Sequence, residues 1–431
     1  MAEGQVDDMK HSVVFAQGEQ EAELADKWGI RVVPGGSVTT PMGFVAGGFH
    51  CGIKRKRPDL GAIRSAVPAT AAGVFTQNRF QGAPLVVTRE SLKAEGKLQA
   101  VVVNSGIANA CTGKKGLEDA YAMRRLAAEV LDVPEPYVAV ASTGWIGRPL
   151  PMDVVAAGLR RLPHHLGPHN AEAFCQAILT TDTFTKSVCV EMTIDGRRVC
   201  LAGAAKGSGM VKPNMATILG FLTTDAAVER EALQRALKRV TDETYNMITI
   251  DGDTSTNDMV LILANGLAGN NPLHEGHPEW EKFEQALLYV SRRLSQMIAR
   301  DGEGATKLIQ VHVHGAATKE TARAVARTVI GSNLVKSAMF GEDGNWGRII
   351  AAVGYCEAPI DPETVDIWVG DVQLVKNSLP VPYDEAALQA HLEQEAVHIT
   401  IGLNQGHAEA TAYGCDLTYE YIRINASYGR V

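Results

Sequence analysis

The chain has 431 residues, of which 45% are hydrophobic and 21% charged, a composition typical of a water-soluble folded protein long enough for two lobes. Its net charge of −8 excludes the broad positive surface that nucleic-acid binding requires, and no stretch approaches the roughly 18 consecutive apolar residues of a membrane span. The acidic N terminus lacks the apolar segment of a secretory signal. Seven widely spaced cysteines, without a C-x-x-C pair, argue against a disulfide framework and a thiolate zinc site. These features predict a cytoplasmic protein with reduced thiols.

Strand and helix patterns alternate along most of the chain. Residues up to about 40 are predicted to be a solvated N-terminal extension that docks late. Short apolar runs then predict buried strands at 99–104 and 137–142, and an i, i+3, i+4 apolar pattern predicts a helix over 117–131. The runs 187–194 and 197–205 flank the dipeptide Asp195-Gly196, which predicts a tight hairpin. Further on, helices are predicted at 230–240 and 279–300, and strands at 246–251 and 307–314. The alternation predicts an α/β fold built of mixed layers.

Four polar, glycine-rich turns follow short apolar strands, at 104–113, 142–147, 251–258 and 301–307. Turns of this kind are where mixed α/β proteins gather binding and catalytic groups, so a composite site is expected. In the turn STGWIG, Thr143 and Gly144 could donate hydrogen bonds to a developing oxyanion, as acyl transfer needs. The alternative for STGWIG is a turn that only terminates a strand.

Thr217 lies where a loop with Gly207, Gly209 and Pro213 enters an apolar run. Threonine opens many strands, so a plain strand residue is one interpretation. The other interpretation is a nucleophile that becomes the first residue of a new chain when the bond after Ala216 breaks. The new α-amine, with a pKa of about 7.7–8.0, would then take the hydroxyl proton. Thr217 can break this bond itself by attacking the preceding carbonyl in a strained turn.

Metal and nucleotide sites find little support in the sequence. His312 and His314 lie on one face of a predicted strand, a spacing that can bind a metal ion. No cysteine or acidic residue accompanies them, so a solvated strand face is expected instead. Phosphate-binding loops of the G-x-G-x-x-G and Walker types are absent. Neither a metal nor a nucleotide cofactor is predicted.

The segment GMVKPNMATILGFLTTDA closely resembles the self-cleavage segment of the bifunctional glutamate/ornithine N-acetyltransferase family of arginine biosynthesis. Further motifs resemble family signatures in the family's order: NSGIANACTG, STGWIG followed by RPLPMD, TTDTFTK, DGDTSTND, ARDGEGATK, SAMFGEDGNWGRI and TAYGCDLTYEYIRINA. The resemblance extends from about Thr40 to the C terminus. Such an ordered series is highly specific.

The resemblance implies a layered α/β sandwich of mixed sheets in two lobes, a self-cleaved architecture similar to that of N-terminal-nucleophile enzymes. Cleavage between Ala216 and Thr217 would give chains 1–216 and 217–431, which assemble as two pairs. Thr217 would carry the acetyl group from N2-acetyl-L-ornithine to L-glutamate in a ping-pong reaction without a cofactor, and bifunctional members also accept acetyl-CoA as a donor. The family's oxyanion pair matches Thr143 and Gly144, and its substrate-contacting positions match Thr183, Lys206, Glu303 and Asn425, together with Thr217.

Two positions depart from the family pattern, and two other functions stay open. The tail ends in Gly429-Arg430-Val431, where the family has a hydroxyl residue that helps to bind substrate. Ile107 stands where asparagine is more typical, which reduces the polarity of that loop. A self-cleaved amidase or aminopeptidase, in which water accepts the acyl group, is the first alternative function. A non-catalytic amino-acid-binding protein with an altered site is the second.

Overall fold

The computed structural model of the chain describes residues 15–212 and 218–427, which contain sixteen strands and twelve α-helices. The strands are β1 Arg31–Val32, β2 Phe44–Phe49, β3 Leu60–Phe75, β4 Lys97–Ile107, β5 Val138–Trp145, β6 Lys186–Ile194, β7 Arg197–Lys206, β8 Leu219–Thr224, β9 Ile248–Thr249, β10 Met259–Ala264, β11 Leu308–Ala316, β12 Asp366–Val369, β13 Val372–Lys376, β14 Leu379–Pro380, β15 Ala396–Gly402 and β16 Ala408–Cys415. The helices are α1 Phe15–Trp28, α2 Ala83–Glu95, α3 Gly113–Leu131, α4 Met152–Arg161, α5 Ala171–Ile178, α6 Arg230–Glu243, α7 Trp280–Arg300, α8 Lys319–Ile330, α9 Asn333–Phe340, α10 Trp346–Gly354, α11 Glu385–Leu392 and α12 Tyr419–Ser427.

The strands form two mixed sheets. The larger has nine strands in the order β1-β6-β7-β8-β10-β3-β4-β5, with β2 also paired to β3. The smaller has seven, in the order β14-β13-β12-β15-β11-β16-β9. Every residue of β8 and β10 is buried, and such continuous apolar strands are typical of sheets covered on both faces. β8 and β10 are parallel neighbours at the centre of the larger sheet.

Helices cover the faces of both sheets. On the larger sheet, α7 packs on β6 and β7 and α6 packs on β3, while α5 packs on β2 and β3. α7 also contacts β16, so it links the larger sheet to the smaller one. α8 packs on β11 and β16, and the smaller sheet has its own buried cluster of aliphatic residues. The predicted layered α/β sandwich of mixed sheets, with one lobe around each sheet, is confirmed.

Most predicted elements are present. The strands and helices predicted before residue 245 all form, and the residues of the Asp195-Gly196 turn have φ values of 49° and 70°, as a primed hairpin turn requires. The strand predicted at 246–251 is wrong in extent. A 3-10 helix occupies Tyr245–Met247, and β9 has only two residues, which pair with Tyr413 and Gly414 of β16.

The described part of the N-terminal extension packs on the body of the protein. Leu24 and Ile30 belong to a core cluster of the larger sheet, and Val38 is fully buried. β1 pairs with β6 at the edge of this sheet. Residues 21–40 of the predicted extension are therefore docked on the protein, because a few apolar side chains anchor this segment. None of the described helices is long and apolar enough to cross a membrane.

Candidate active site

The loop that precedes the predicted cleavage point is held by one carboxylate. Ala216 and Thr217 themselves lie outside the described residues. Upstream of them, Asp251 accepts hydrogen bonds from the backbone N–H of Met210 at 2.6 Å and of Val211 at 2.9 Å. Burial raises the pKa of Asp251, and these backbone donors only partly offset that effect. The glycine-rich loop is therefore fixed to the residues that follow β9.

The start of β8 is fixed on the other side of the cleavage point. The carbonyl oxygen of Ile218 accepts a hydrogen bond from the backbone N–H of Met259 at 3.0 Å. Leu219, the first residue of β8, is the antiparallel partner of Lys206 at the end of β7. Lys206 and the first residue of β10 therefore flank the beginning of β8.

The turn at residues 142–147, which is predicted to supply the oxyanion donors and is called the oxyanion turn below, begins with the last residues of β5. Its Gly144 has a φ of 130°, a backbone conformation that L side chains rarely adopt. Gly144 is paired with Gly106 of β4, and a Cβ on Gly144 would lie 2.3 Å from the carbonyl carbon of Gly106. Glycine at 144 is therefore required both by the backbone angle and by the close approach of two strands. Thr143 and Gly144 lie at the partly exposed end of β5.

Asn257 holds the oxyanion turn from the other half of the chain. Its side chain is 3% exposed, and its Nδ2 donates to the carbonyl oxygens of Ser142 at 2.9 Å and Ala108 at 2.5 Å. Its Oδ1 accepts a hydrogen bond from the Thr256 hydroxyl at 2.6 Å. The Ser142 carbonyl and the Thr143 N–H belong to the same peptide group. Asn257 therefore orients this peptide and strengthens its N–H as a donor.

Asn257 also connects the oxyanion turn to the start of β8. It precedes Met259 by two residues, and the Met259 N–H binds Ile218. Two regions predicted separately, STGWIG and the start of the apolar run after Thr217, are thus brought together. The sequence analysis selected the turn DGDTSTND but gave no role to its asparagine. The one available signal was an amide side chain in a polar turn directly before an all-apolar strand.

A buried triad of Asp182, Lys186 and Asp301 lies beneath Thr183. The Lys186 side chain is fully buried, and its Nζ donates to Asp182 at 2.8 Å and to Asp301 at 2.5 Å. Asp301 also accepts hydrogen bonds from the backbone N–H of Thr183 at 3.1 Å and from the Thr183 hydroxyl. The triad therefore positions the exposed Thr183. Sequence reasoning missed these three residues, although Asp182 and Lys186 stand four positions apart in TTDTFTK.

The same triad compensates the charge of Lys206. The Lys206 side chain is 9% exposed, and its Nζ lies 3.8 Å from Asp182 and donates to the Thr180 hydroxyl at 2.7 Å. Burial alone would raise the pKa of Asp182, but Lys186 and Lys206 outweigh it and hold this pKa well below its usual value. Burial raises the pKa of Asp301, and Lys186 only partly offsets this. The ionised Asp182 thus keeps a nearly buried ammonium group beside β8.

Glu303 and Asn425 form the acidic part of the site. The Asn425 Nδ2 donates to the Glu303 carboxylate at 2.7 Å, which connects α12 to the loop after α7. The Glu303 backbone N–H donates to the Ser208 carbonyl at 2.8 Å, and the Ser208 hydroxyl donates to the Asp301 carbonyl at 2.7 Å. Glu303 is 7% exposed and so presents a carboxylate in a largely desolvated setting. Ser208 therefore links the backbone of Glu303 to the backbone of Asp301 in the triad.

The structure therefore connects the described residues that the sequence analysis assigned to substrate binding. Thr183, Lys206, Glu303 and Asn425 are joined through the triad and Ser208. Thr143 and Gly144 reach the start of β8 through Asn257. Ile107 ends β4, where its carbonyl oxygen accepts a hydrogen bond from Asn104 at 2.9 Å. The tail residues Gly429, Arg430 and Val431 lie outside the described residues.

Histidine pairs in the described ranges do not assemble a metal site. His312 and His314 stack with their ring centroids 6.0 Å apart on β11, and burial lowers the pKa of His312. Within residues 15–212 and 218–427, no group of three or more His, Cys, Asp or Glu side chains could hold a metal ion.

Comparison with known proteins gives a consistent set of similarities. A model of the ArgJ family matches residues 45–430. The arginine biosynthesis bifunctional protein ArgJ of Oceanobacillus iheyensis is 55% identical over 399 residues, which cover 93% of this chain and 98% of that protein. The protein of the same name from Shouchella clausii is 57% identical over 394 residues, covering 91% and 96% of the two chains. A solved chain of ArgJ from Bacillus halodurans is 55% identical and covers 43% of this chain and 97% of its own, with a TM-score of 0.42.

Proposed function

Because this chain belongs to the ArgJ family of arginine-biosynthesis enzymes, we propose that it transfers the acetyl group of N2-acetyl-L-ornithine to L-glutamate. The products are L-ornithine and N-acetyl-L-glutamate. The observation that carries this proposal is a pair of nearly buried opposite charges, Lys206 and Glu303, linked through the buried triad beside the start of β8. N2-acetyl-L-ornithine has a free carboxylate and a free ammonium group, which a lysine and a glutamate can each pair with.

The nucleophile in this proposal is Thr217. Its hydroxyl attacks the carbonyl of Ala216, and the peptide C–N bond breaks to leave Ala216 as an ester on the hydroxyl oxygen. Water then hydrolyses this ester, which frees the carboxyl group of Ala216 and both the α-amine and the hydroxyl of residue 217. The α-amine of Thr217, with a pKa of about 7.7–8.0, then takes the hydroxyl proton when Thr217 attacks the acetyl group. The amide C–N bond breaks, L-ornithine leaves with that proton, and an acetyl ester remains on Thr217. The amine of L-glutamate attacks this ester in the second half of a ping-pong cycle.

The surrounding residues have separate roles in this mechanism. The oxyanion turn, with Thr143 and Gly144, supplies donors to the tetrahedral oxyanion of each half-reaction. Thr183 and Asn425 contact the substrate beside Lys206 and Glu303. Preorganised donors of this kind act without reorganisation during the reaction, and the contacts of Asn257 support such preorganisation.

We further propose that the chains 1–216 and 217–431 stay together and assemble as two pairs, and that acetyl-CoA serves as a second acetyl donor. The enzyme would act in the cytoplasm without a cofactor. All seven cysteines are free thiols, which agrees with a reducing compartment.

The test of the function is a product assay by mass spectrometry. Incubation with N2-acetyl-L-ornithine and L-glutamate is expected to yield L-ornithine and N-acetyl-L-glutamate in equal amounts. With N2-acetyl-L-ornithine alone, one equivalent of L-ornithine and an acetylated fragment beginning at Thr217 are expected. Free acetate without N-acetyl-L-glutamate would instead identify an amidase, in which water accepts the acyl group. Binding without any product would indicate a non-catalytic amino-acid-binding protein.

Replacing Asn257 by aspartate is expected to lower kcat about tenfold to hundredfold, somewhat less than the loss of an oxyanion donor itself, with little change in KM. The carboxylate cannot donate to the carbonyls of Ser142 and Ala108, so the oxyanion turn loses its orientation while the substrate contacts stay intact. Steady-state kinetics with both substrates measure this split between kcat and KM.

The matched control for this variant is Asn270→Asp. The Asn270 amide is also buried and also donates to two backbone carbonyls, those of Ala227 at 3.1 Å and Asn271 at 2.7 Å. It follows β10, whereas Asn257 precedes it. We expect Asn270→Asp to cost stability but to leave kcat per folded enzyme unchanged. Equal kcat values in the two variants would contradict the role given to Asn257.

A further inference from the structure

The basic loop, residues 54–57, carries four consecutive cations in a chain of net charge −8. It lies between β2 and β3, and Arg55, Lys56 and Arg57 are exposed. Within the described residues, neither Arg55 nor Lys56 makes a hydrogen bond or an ion pair. Adjacent like charges repel one another, so Arg55 and Lys56, which have no acidic partner among the described residues, favour the binding of an anion.

The backbone of the basic loop is firmly held. The buried Asp59 carboxylate accepts hydrogen bonds from the backbone N–H of Cys51 at 2.6 Å and of Lys54 at 2.8 Å. The Lys54 ammonium donates to the carbonyls of Pro58 at 3.0 Å and Leu179 at 2.5 Å. Lys54 is therefore used to anchor the loop, while Arg55 and Lys56 extend from a preorganised backbone. Preorganisation reduces the entropy lost when a ligand binds.

One side of the basic loop contacts the strand behind the oxyanion turn. A Cβ placed on Gly106 would lie 3.1 Å from the Cγ of Lys54. Gly106 is the strand partner of Gly144. Lys54 therefore lies against the backbone that supports the proposed oxyanion donors.

The other side of the basic loop contacts the lysine end of the site. The Arg57 guanidinium donates to the Thr180 carbonyl at 3.2 Å, and the Thr180 hydroxyl accepts a hydrogen bond from Lys206 at 2.7 Å. Burial lowers the pKa of Lys54 to about 8, and the charges of Lys206 and Arg57 contribute to this decrease, while Asp59 opposes it. The basic loop thus borders the site from the oxyanion turn to Lys206.

We propose that the basic loop binds the phosphate groups of a coenzyme A thioester and so positions the second donor of the proposed function at the site. The inference rests on the proposed function. Neither N2-acetyl-L-ornithine nor L-glutamate carries a phosphate, and the charged groups beside β8 already match an amino acid. Arginine and lysine are the side chains that pair best with phosphate. The long arm of coenzyme A lets its phosphates bind at the rim while the thioester enters the site.

The donor step transfers the acetyl group from the sulfur of the thioester to the hydroxyl oxygen of Thr217. The Thr217 hydroxyl oxygen forms a bond to the thioester carbonyl carbon, and the carbon–sulfur bond breaks. The Thr217 α-amine takes the hydroxyl proton and passes it to the departing sulfur, which leaves as the coenzyme A thiol. The acetyl ester is the same one that N2-acetyl-L-ornithine produces, so L-glutamate accepts the acetyl group from either donor.

The test is the double variant Arg55→Glu/Lys56→Glu of the full chain, compared with the unaltered protein. We expect KM for acetyl-CoA to rise about tenfold, because two exposed phosphate contacts are replaced by repulsion. KM for N2-acetyl-L-ornithine and for L-glutamate should change less than twofold. KM for S-acetyl-N-acetylcysteamine, a thioester without phosphates, should also stay unchanged.

The control Arg197→Glu/Lys376→Glu alters two exposed cations on β7 and β13 by the same total charge, and should leave every KM unchanged. An equal rise in KM for the amino-acid substrates would overturn the inference, because the loop would then serve them. Unchanged KM for acetyl-CoA would overturn it as well. If the unaltered protein uses N2-acetyl-L-ornithine but not acetyl-CoA, the inference and the proposed second donor both fail, while the proposed transfer from N2-acetyl-L-ornithine to L-glutamate stands.

Discussion

Replacing Thr217 by alanine is expected to leave one uncut chain of 46.1 kDa that transfers no acetyl group. Alanine has no hydroxyl, so it can neither attack the Ala216 carbonyl nor carry an acetyl ester. Removal of a catalytic nucleophile in a comparable acyl-transfer mechanism costs about 10⁶-fold in kcat, which would place the variant below detection. A denaturing gel and the product assay measure both losses on the same sample, and the unaltered protein should run as two fragments of about half the mass.

The conservative variant Thr217→Ser provides the control. Serine keeps a hydroxyl on the same carbon, so cleavage and transfer should both persist at a reduced rate. The two losses in the alanine variant can also be separated, because a chain supplied already cut at residue 217 tests transfer alone. Either a cut chain or turnover in Thr217→Ala would exclude Thr217 as the nucleophile.

Replacing Lys186 by methionine is expected to lower the free energy of unfolding by about 3–5 kcal/mol, the usual cost of removing one member of a buried ion pair. Lys186 is the fully buried cation between Asp182 and Asp301. Methionine fills similar space but leaves two buried carboxylates with less compensation. Urea unfolding in the Thr217→Ala background measures the loss, because one uncut chain is then compared throughout.

The decrease in the free energy of unfolding caused by Lys186→Met should depend on pH. In the unaltered protein the pKa of Asp182 lies below its usual value, so its contribution to stability is present above pH of about 4 and is lost as the pH falls. In the variant, burial without Lys186 raises the pKa of both carboxyls above the unfolded value. Their protonation then favours the folded state at low pH, and this contribution disappears as the pH rises. The difference between the two proteins should therefore be largest near pH 7 and smallest near pH 4.

Lys336→Met is the matched control for Lys186→Met. Lys336 is the other fully buried lysine among the largest buried side chains, and it donates to the carbonyl oxygen of Cys415. Its removal leaves a neutral acceptor unpaired, which costs about 1–3 kcal/mol and should not vary between pH 4.5 and 7. Equal, pH-independent losses in both variants would contradict the electrostatic role of the triad.

Local pattern accounts for much of the fold. The apolar runs that became β4, β5, β7 and β11 are long enough to indicate strands on their own. The same rule overextended β9, of which only two residues pair with β16. It also missed the anchoring of residues 21–40, whose few apolar side chains show no clear period in the sequence. In both cases the structure of the segment depends on contacts with residues that are distant in the sequence.

Only some of the residues of the candidate site can likewise be predicted from the sequence. Residue types at special positions, such as Thr143 and Gly144 at a strand end, can be recognised from sequence because the chemistry needs those groups. The residues that position these groups cannot be recognised from the sequence. Lys186 and Asp301 are separated by 115 residues, and Asn257 is separated from Ser142 by the same number. No local pattern indicates that such distant side chains meet.

The strand order of the larger sheet has a consequence for the covalent structure of the protein. β8 and β10, from the part of the chain after residue 216, lie between β7 and β3, which come from the part before it. A cut between Ala216 and Thr217 would therefore yield two polypeptides that share one sheet, in which β8 and β10 have strands of the first polypeptide as neighbours on both sides. Two of the buried clusters around the larger sheet combine side chains from both pieces. Such a protein would consist of two covalently separate polypeptides that form one folded unit. The two polypeptides could then separate only if the protein unfolded.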